Sequence, residues 1–334
     1  MTSMAKYARA KLERLIAKLP TAAAEKLYEL AKNMFASLIP EVKPCCPYCG
    51  SEIVVKNGHK CHKQEYLCKK CRKTFVSTTN TIMANSHQPR EIWESVIEDT
   101  LSGHSIDYTA ERVGLHHSST FQMRHKFLVA LVKLQAESAF CLGGVSELDE
   151  TFVLESYKGS AVPEEAGRSA RKHGGKAKKS GISNEYVCIC AGVQRGGGAM
   201  AETVNRAKPS SEELQAVFGG HLEENVLILC DGLKSYRSLE KTAACCVKNV
   251  NRETEKSFFN LNTVNAFHSF IKSRYQIYCG VATKYLNRYN ALFAAAYKHT
   301  AARFCQISDA LLNVSPVNRF VPYRTLNLQA LLCL

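Results

Sequence analysis

No stretch of this chain of 334 residues is apolar for long enough to cross a membrane. Apolar runs such as Phe127 to Val132 and Val187 to Val193 fall far short of the ~20 residues a spanning helix needs. A secretory leader is not expected either, because Lys6, Arg9, Lys11, Glu13 and Arg14 interrupt the first apolar positions. Acidic residues are in short supply: 30 Asp and Glu stand against 44 Lys and Arg, a formal net charge of +14. A deficit of that size makes a polyanion the expected partner, nucleic acid before membrane. With no leader and no span, fifteen cysteines point to a reducing compartment, so a cytoplasmic protein is expected. The length leaves room for two or three domains, one of them a catalytic core.

Cysteine is not scarce, and four of the fifteen are spaced for metal. Cys46-Pro47-Tyr48-Cys49 and Cys68-Lys69-Lys70-Cys71 each have the two-residue gap of a knuckle. The 18 residues between the pairs are enough for a β-hairpin. Two such knuckles bring four thiolates around one Zn2+ in tetrahedral geometry, the structural site of a zinc ribbon. Gly50 supplies the small residue the turn needs, and Ile53-Val54-Val55 and Glu65-Tyr66-Leu67 read as the hairpin strands. The spacing leaves Cys45, His59, Cys61 and His62 as alternate ligands. Cys188 and Cys190 alternate along an apparent strand and read as core.

Residues 3–38 carry two helical patterns divided at Leu19-Pro20-Thr21, the first with Leu12, Leu15, Ile16 and Leu19 in one stripe. Residues 88–135 predict three helices: one opened by Pro89, a short one over Ser105–Leu115 ended by Gly114, and a longer one from about His116. That layout is a helix-turn-helix, in which Ser118, Ser119, Gln122, Arg124 and His125 face a DNA groove or phosphates. Further on, strands are predicted at Val145–Val153, Glu185–Val193, Ala199–Val204, Val226–Cys230 and Cys246–Val250. Helices are predicted at Ser210–Phe218 and Ser235–Ala243, and most of Asn262–Phe304 is helical. Strands first, then alternation, then a long helix matches a ribonuclease-H-like mixed sheet. Residues 166–181 hold Arg168, Arg171, Lys172, Lys176, Lys178 and Lys179 and no acid, a flexible loop suited to the DNA backbone.

Asp149 lies inside the first of these strands, where an unpaired buried carboxylate is costly. Asp231 follows the apolar run Val226-Leu227-Ile228-Leu229-Cys230, at the end of a strand where ligand chemistry gathers in α/β sheets. Two carboxylates on neighbouring strands can hold Mg2+ or Mn2+ for phosphodiester transfer. Asn265, His268 and Lys272 share one face of the next helix, Asn265 coming 34 positions after Asp231. One of them can reach the metals while Lys272 holds a phosphate.

The pieces Leu148-Asp149-Glu150-Thr151-Phe152, Arg171-Lys172-His173-Gly174-Gly175-Lys176, Cys230-Asp231-Gly232-Leu233-Lys234-Ser235-Tyr236, Asn262 to Lys272 and Gly280 to Leu286 occur in an order that resembles a known family. It is that of bacterial insertion-sequence transposases of the DDE superfamily, in the group with an N-terminal zinc ribbon and an Asp-Asp-Asn/Glu/His plus Lys signature. The resemblance covers about residues 40–295. It implies that Asp149, Asp231 and Asn265 are the metal-binding catalytic triad and Lys272 the phosphate contact. It also implies a homo-oligomer assembled on double-stranded DNA, with element ends and target as partners, nucleoid-associated when bound. The third position is Asn rather than Glu; His268 is a substitute ligand, and Glu147 lies on the same strand face as Asp149 and can assist.

A multidomain protein is therefore expected: a helical arm (1–40), a zinc ribbon (41–80), a helix-turn-helix-like domain (85–140), an α/β ribonuclease-H-like catalytic domain (141–310) and a C-terminal tail (311–334). The expected function is a DNA transposase. It binds the inverted-repeat ends of its element through the ribbon and the helix-turn-helix, with Ser119, Gln122 and Arg124 reading the ends and Arg171, Lys172, Lys176, Lys178 and Lys179 on the backbone. The alternatives are a metal-dependent nuclease or resolvase of the same fold, and a DNA-binding regulator whose catalytic domain has decayed.

Overall fold

The computed structural model describes residues 44–328 apart from residues 62, 138–139, 167–168, 170, 172–174, 176, 178–182, 184, 207, 243, 251–257, 279, 298–300, 315–316 and 324. The helical arm expected over residues 1–40 lies outside the described residues. The chain divides into two compact units, one running to Ile97 and including His299–Val321, the other comprising Glu98–Lys298 and Pro322 onward. In chain order the elements are β1 (Val54–Lys60), β2 (Lys63–Cys68), β3 (Thr74–Val76), α1 (Arg90–Ser102), α2 (Ile106–Val113) and α3 (His117–Glu137). Then come β4 (Val145–Leu154), β5 (Tyr186–Gln194), β6 (Ala199–Thr203), α4 (Ser211–Phe218), β7 (Leu227–Cys230), α5 (Leu239–Thr242) and β8 (Cys246–Asn249). The last are α6 (Asn262–Ile277), α7 (Leu286–Ala296), α8 (Ala301–Leu312) and α9 (Thr325–Leu328).

In the first unit, β1, β2 and β3 form an antiparallel sheet in that order. Tyr66 on β2 stacks on Phe75 on β3 at 5.5 Å, over a small core of Cys46, Cys68 and Phe75 that Val54 and Val314 also cover. The chain returns to this unit with α8 and the segment after it, where Leu311 O accepts from Ile82 N and Asn80 O from Arg319 N. Trp93, Val96 and Ile97, the apolar stripe of α1, are buried here.

The second unit is built on a mixed five-stranded sheet in the order β6-β5-β4-β7-β8. β5 runs antiparallel to both β4 and β6, whereas β7 is parallel to β4 and β8 to β7. β5 is buried continuously from Val187 to Val193, the pattern of a central strand covered on both faces. One face packs on α4, which begins with a full capping box between Ser210 and Glu213. The expected helix at 235–243 is instead a 3-10 turn (Lys234–Ser238) followed by the single turn of α5. Three residues per turn bring the buried Tyr236 and Leu239 to the same side, into the core with Leu148, Ile228 and Cys230. Against β4 and β5, α6 buries Val264, Phe267, His268 and Ile271, and α7 joins β6 through Asn290 Nδ2 to Thr203 Oγ1 at 3.0 Å.

Candidate active site

Parallel pairing of β4 with β7 matches Val145 to Leu227, Ser146 to Ile228 and Glu147 to Leu229. Two residues further along, Asp149 is still in β4, and Asp231 has just left β7. Gly232 follows at φ 91°, a left-handed turn that favours glycine, and Asp231 Oδ1 accepts from Leu233 N at 3.2 Å. This turn draws Asp231 towards β4, so that carboxylate oxygens of Asp149, Glu150 and Asp231 all lie within 4.8 Å of one another. Burial, reinforced by the charges of Glu150 and Asp231, pushes Asp149 up to about 7, while Lys272 opposes the shift. Burial also raises Glu150, with the nearby Tyr236 hydroxyl opposing it. Glu150 Oε1 and the Tyr236 hydroxyl are both buried without a well-aligned hydrogen-bond partner. Three clustered carboxylates, with Asp149 and Glu150 both raised and one Glu150 oxygen left unsatisfied, suit a hard divalent cation.

Helix α6 supplies the neighbouring groups. His268 Nδ1 is 3.7 Å from Asp149 Oδ2, and the ring is buried. Burial first, then Lys272, brings His268 down to about 4, so the contact joins a neutral imidazole to the carboxyl group. Asn265 and Lys272, one turn to either side on this face, are exposed. Glu147 departs from its expected part in metal binding. Both its oxygens are engaged elsewhere: Oε1 accepts from Arg195 Nε at 2.6 Å, and Oε2 from Thr263 N at 2.7 Å and Val264 N at 2.9 Å. The carboxylate that the strand contributes beside Asp149 is Glu150, which the sequence pattern does not single out. Its only signal there is that it directly follows Asp149, the third acid of the strand after Glu147 and Asp149.

The four knuckle cysteines form a second cluster, with Cys46 Sγ 3.5 Å from Cys71 Sγ and Cys49 Sγ 3.7 Å from Cys68 Sγ. A tetrahedron of sulfurs about 2.3 Å from a central Zn2+ has edges of about 3.8 Å, so the set is the right size for that ion. Cys71 N donates to Cys68 Sγ, and backbone donors pull the Cys68 thiol down to about 6, while burial pushes Cys46 up to about 12. Cys45, His59 and Cys61 stand outside this cluster, and His62 lies outside the described residues.

In the helical segment Ser105 caps α2 by accepting from Tyr108 N, and Gly114 ends it at φ 68°. Ser119 and Gln122 are exposed on the first turns of α3. Arg124, expected to face DNA, is fully buried. Its guanidinium donates to His104 O at 2.9 Å, Ser105 O at 3.3 Å and Thr109 Oγ1 at 3.3 Å, fastening α3 to the start of α2. Arg171, expected on the DNA backbone, is ion-paired with Glu185 and donates to Glu155 O. Lys172, Lys176, Lys178 and Lys179 lie outside the described residues. Among the described residues no helix is long and apolar enough to cross a membrane.

Comparison with known proteins gives this arrangement a family. Residues 141–297 match the ISXO2-like transposase domain. A protein of Halobacterium salinarum, described as an uncharacterized protein in transposable element ISH50, is 24% identical over 217 residues, which is 64% of this chain and 70% of that protein. Among solved structures, the Mos1 strand transfer complex is 10% identical with a TM-score of 0.27, covering 88% of this chain and 85% of its own. The mariner Mos1 paired end complex with Mg is 11% identical with a TM-score of 0.26, covering 98% and 93%. At such scores neither superposition bears on the fold. The matched domain begins just before β4 and ends just after α7, and so spans Asp149, Glu150, Asp231 and the α6 face. Residues 141–297 thus form an ISXO2-like transposase domain, which, with the insertion-sequence relative, supports a DNA transposase of the DDE type.

Proposed function

We propose that this transposase binds the inverted-repeat ends of its element and cuts and joins DNA strands at a site for Mg2+ or Mn2+ on a ribonuclease-H-like sheet. The observation that carries this reading is the meeting of Asp149 and Glu150, midway along β4, with Asp231 just past the end of the parallel β7. Asp149 and Asp231 are the metal carboxylates, and Glu150 is a third that makes up for the neutral Asn265. Divalent ions held there would activate an attacking water or 3′-hydroxyl and stabilise the leaving oxygen. His268 braces the Asp149 carboxyl as a neutral ring, Asn265 offers an amide oxygen from the next turn, and Lys272 holds a phosphate.

In the same proposal Cys46, Cys49, Cys68 and Cys71 bind one structural Zn2+ in a ribbon over residues 41–80, next to a helix-turn-helix-like domain over 85–140. The catalytic domain covers 141–310, and residues 1–40 and 311–334 are an arm and a tail. Ser119 and Gln122 contact the element ends, the lysines of residues 172–179 contact the DNA backbone, and the protein works as a homo-oligomer on DNA. The test is strand transfer with oligonucleotides that carry the element's own ends, with Mg2+ or Mn2+. Joining of a 3′ end to target DNA, lost in Asp149→Ala, is the expected result. Cleavage without joining would mean a nuclease, and specific end binding without cleavage in either metal would mean a regulator.

A further inference from the structure

The first N–H groups of a helix need acceptors; in α6 Asn260 Oδ1 takes Asn262 N at 3.2 Å, but the N-cap residue Leu261 offers no side-chain acceptor for the next two. The missing cap comes from 116 residues earlier in the chain: Glu147 Oε2 accepts from Thr263 N and Val264 N at 2.7 and 2.9 Å. The other oxygen, Oε1, takes Arg195 Nε at 2.6 Å. Arg195 then donates NH1 to Phe258 O and NH2 to Asn260 O, both at 2.8 Å, and its guanidinium lies 4.7 Å from the centre of the Phe258 ring. Glu147 is wholly buried. A carboxylate there is costly to desolvate, and its cost is offset by three charge-assisted or dipole-aligned donors and not by apolar packing.

We propose that Glu147 and Arg195 form a positioning clamp that sets helix α6 against strand β4, and so fixes Asn265, His268 and Lys272 relative to Asp149. Glu147 sits two residues before Asp149 on the same face of β4, and the amides it holds belong to the first turn of the helix that carries the other three. The strand that bears the first metal carboxylate is therefore bonded directly to the start of that helix, with Arg195 pinning the segment that leads into it. The functional consequence rests on the proposed metal site, whereas the clamp itself is a matter of backbone amides. A displacement of the order of 1 Å at a reacting centre can cost about a hundredfold in rate, which is what a clamp of this kind guards against.

The experiment uses the full chain with Glu147→Gln, Arg195→Lys and the double variant, beside wild type and Asp149→Ala. Hydrogen exchange of the segment 261–267 reads the clamp without reference to activity. Single-turnover cleavage of pre-bound element ends at saturating Mn2+, together with end-DNA affinity, reads its effect on chemistry. Glu147→Gln is expected to speed exchange at Thr263 and Val264 about tenfold or more and to slow cleavage ten- to hundredfold. End-DNA affinity should stay within about twofold, and the double variant should be little worse than Glu147→Gln, because the two side chains act as one unit. Unchanged exchange in both single variants, or cleavage within twofold of wild type, overturns the clamp. So does a loss of activity that tracks the unfolded fraction and returns on cooling. Arg195→Lys, which keeps a cation beside Glu147, serves if the Gln variant does not fold. If wild type itself cleaves no better than Asp149→Ala while the exchange result holds, the metal-site reading has failed and the clamp has not.

Discussion

His268 Nδ1 lies 3.7 Å from Asp149 Oδ2, and the same burial drives the two groups in opposite directions, Asp149 up to about 7 and His268 down to about 4. Near neutral pH the pair is a neutral ring beside a carboxyl group poised between its two forms. Both shifts disfavour charge in the pocket, which is the electrostatic state a divalent cation reverses.

The first expected outcome is a pH-dependent metal affinity. Below pH 7 a bound ion must displace a proton from Asp149, so Mn2+ affinity should rise with pH, at most about tenfold per unit, and level off above 7. The metal-free protein should behave in the opposite sense. A carboxyl raised from 3.8 to about 7 holds more protons folded than unfolded, so its contribution to stability declines as pH rises through that window. Thermal unfolding at pH 5 to 8 with and without Mn2+ checks both statements, and Asp149→Asn should flatten them. A metal-free melting temperature that climbs over pH 5 to 7 because of Asp149 would contradict this account.

A ligand series comes next. Asp149→Ala and Asp231→Ala should each reduce cleavage and joining by on the order of a thousandfold while end binding persists. Glu150→Gln should cost more than Asn265→Ala, because Glu150 stands within the carboxylate cluster and Asn265 is exposed one turn from His268. Asn265→Glu should retain activity and tighten Mn2+ binding, since it places a charge on the same face. Lys272→Ala should weaken the DNA complex around the scissile phosphate and leave metal affinity in place. Rates at saturating metal, set beside metal titrations, separate these effects. A Glu150→Gln enzyme with wild-type rate and metal affinity would remove Glu150 from the site.

The cysteine cluster should hold one equivalent of zinc. Any of Cys46, Cys49, Cys68 or Cys71 changed to Ser should lose the metal and melt the small sheet, because here binding energy is folding energy. Cys45→Ser and Cys61→Ser should leave both unchanged, as those thiols stand outside the cluster. Metal analysis of the purified variants, with chelator-induced unfolding of wild type, decides it. Zinc retained in Cys49→Ser would point to a different ligand set.

Much of this molecule is legible in short-range chemistry. The capping box at Ser210 and Glu213, the Ser105 cap and the Gly114 stop are local, and each stands where its spacing places it. The same holds for the knuckle turns and for the apolar run of β5. The remainder depends on what lies across the fold. Glu147 and Glu150 flank the same aspartate on the same strand, and strand alternation alone assigns Glu147 to the Asp149 side. It does so correctly, but that side at Glu147 is occupied by the amides of α6, whereas Asp231 swings over on its glycine turn to meet Glu150. Nothing within a few residues of either glutamate carries that information. Arg124 is a similar case: its partners are carbonyls about twenty residues upstream, which no helical periodicity can reveal.

That placement separates three kinds among the basic and polar residues expected to contact DNA. Arg124→Ala should leave the His104 and Ser105 carbonyls without their donor and destabilise the fold by about 2–4 kcal/mol, read as a lower melting temperature, with sequence preference unchanged in the fraction that remains folded. Ser119→Ala and Gln122→Ala, on the exposed first turns of α3, should do the reverse, altering preference for the element ends with little effect on melting. Replacing Lys172, Lys176, Lys178 and Lys179 by Ala should weaken binding to all sequences alike, and lower the salt slope by roughly one unit for each phosphate that is no longer neutralised. Arg171→Ala should behave less like these lysines than like Arg124→Ala, because its guanidinium is committed to Glu185. The comparison needs only melting curves and DNA binding at three salt concentrations. An Arg124→Ala protein that melts like wild type but binds the ends with altered preference would return Arg124 to the DNA surface.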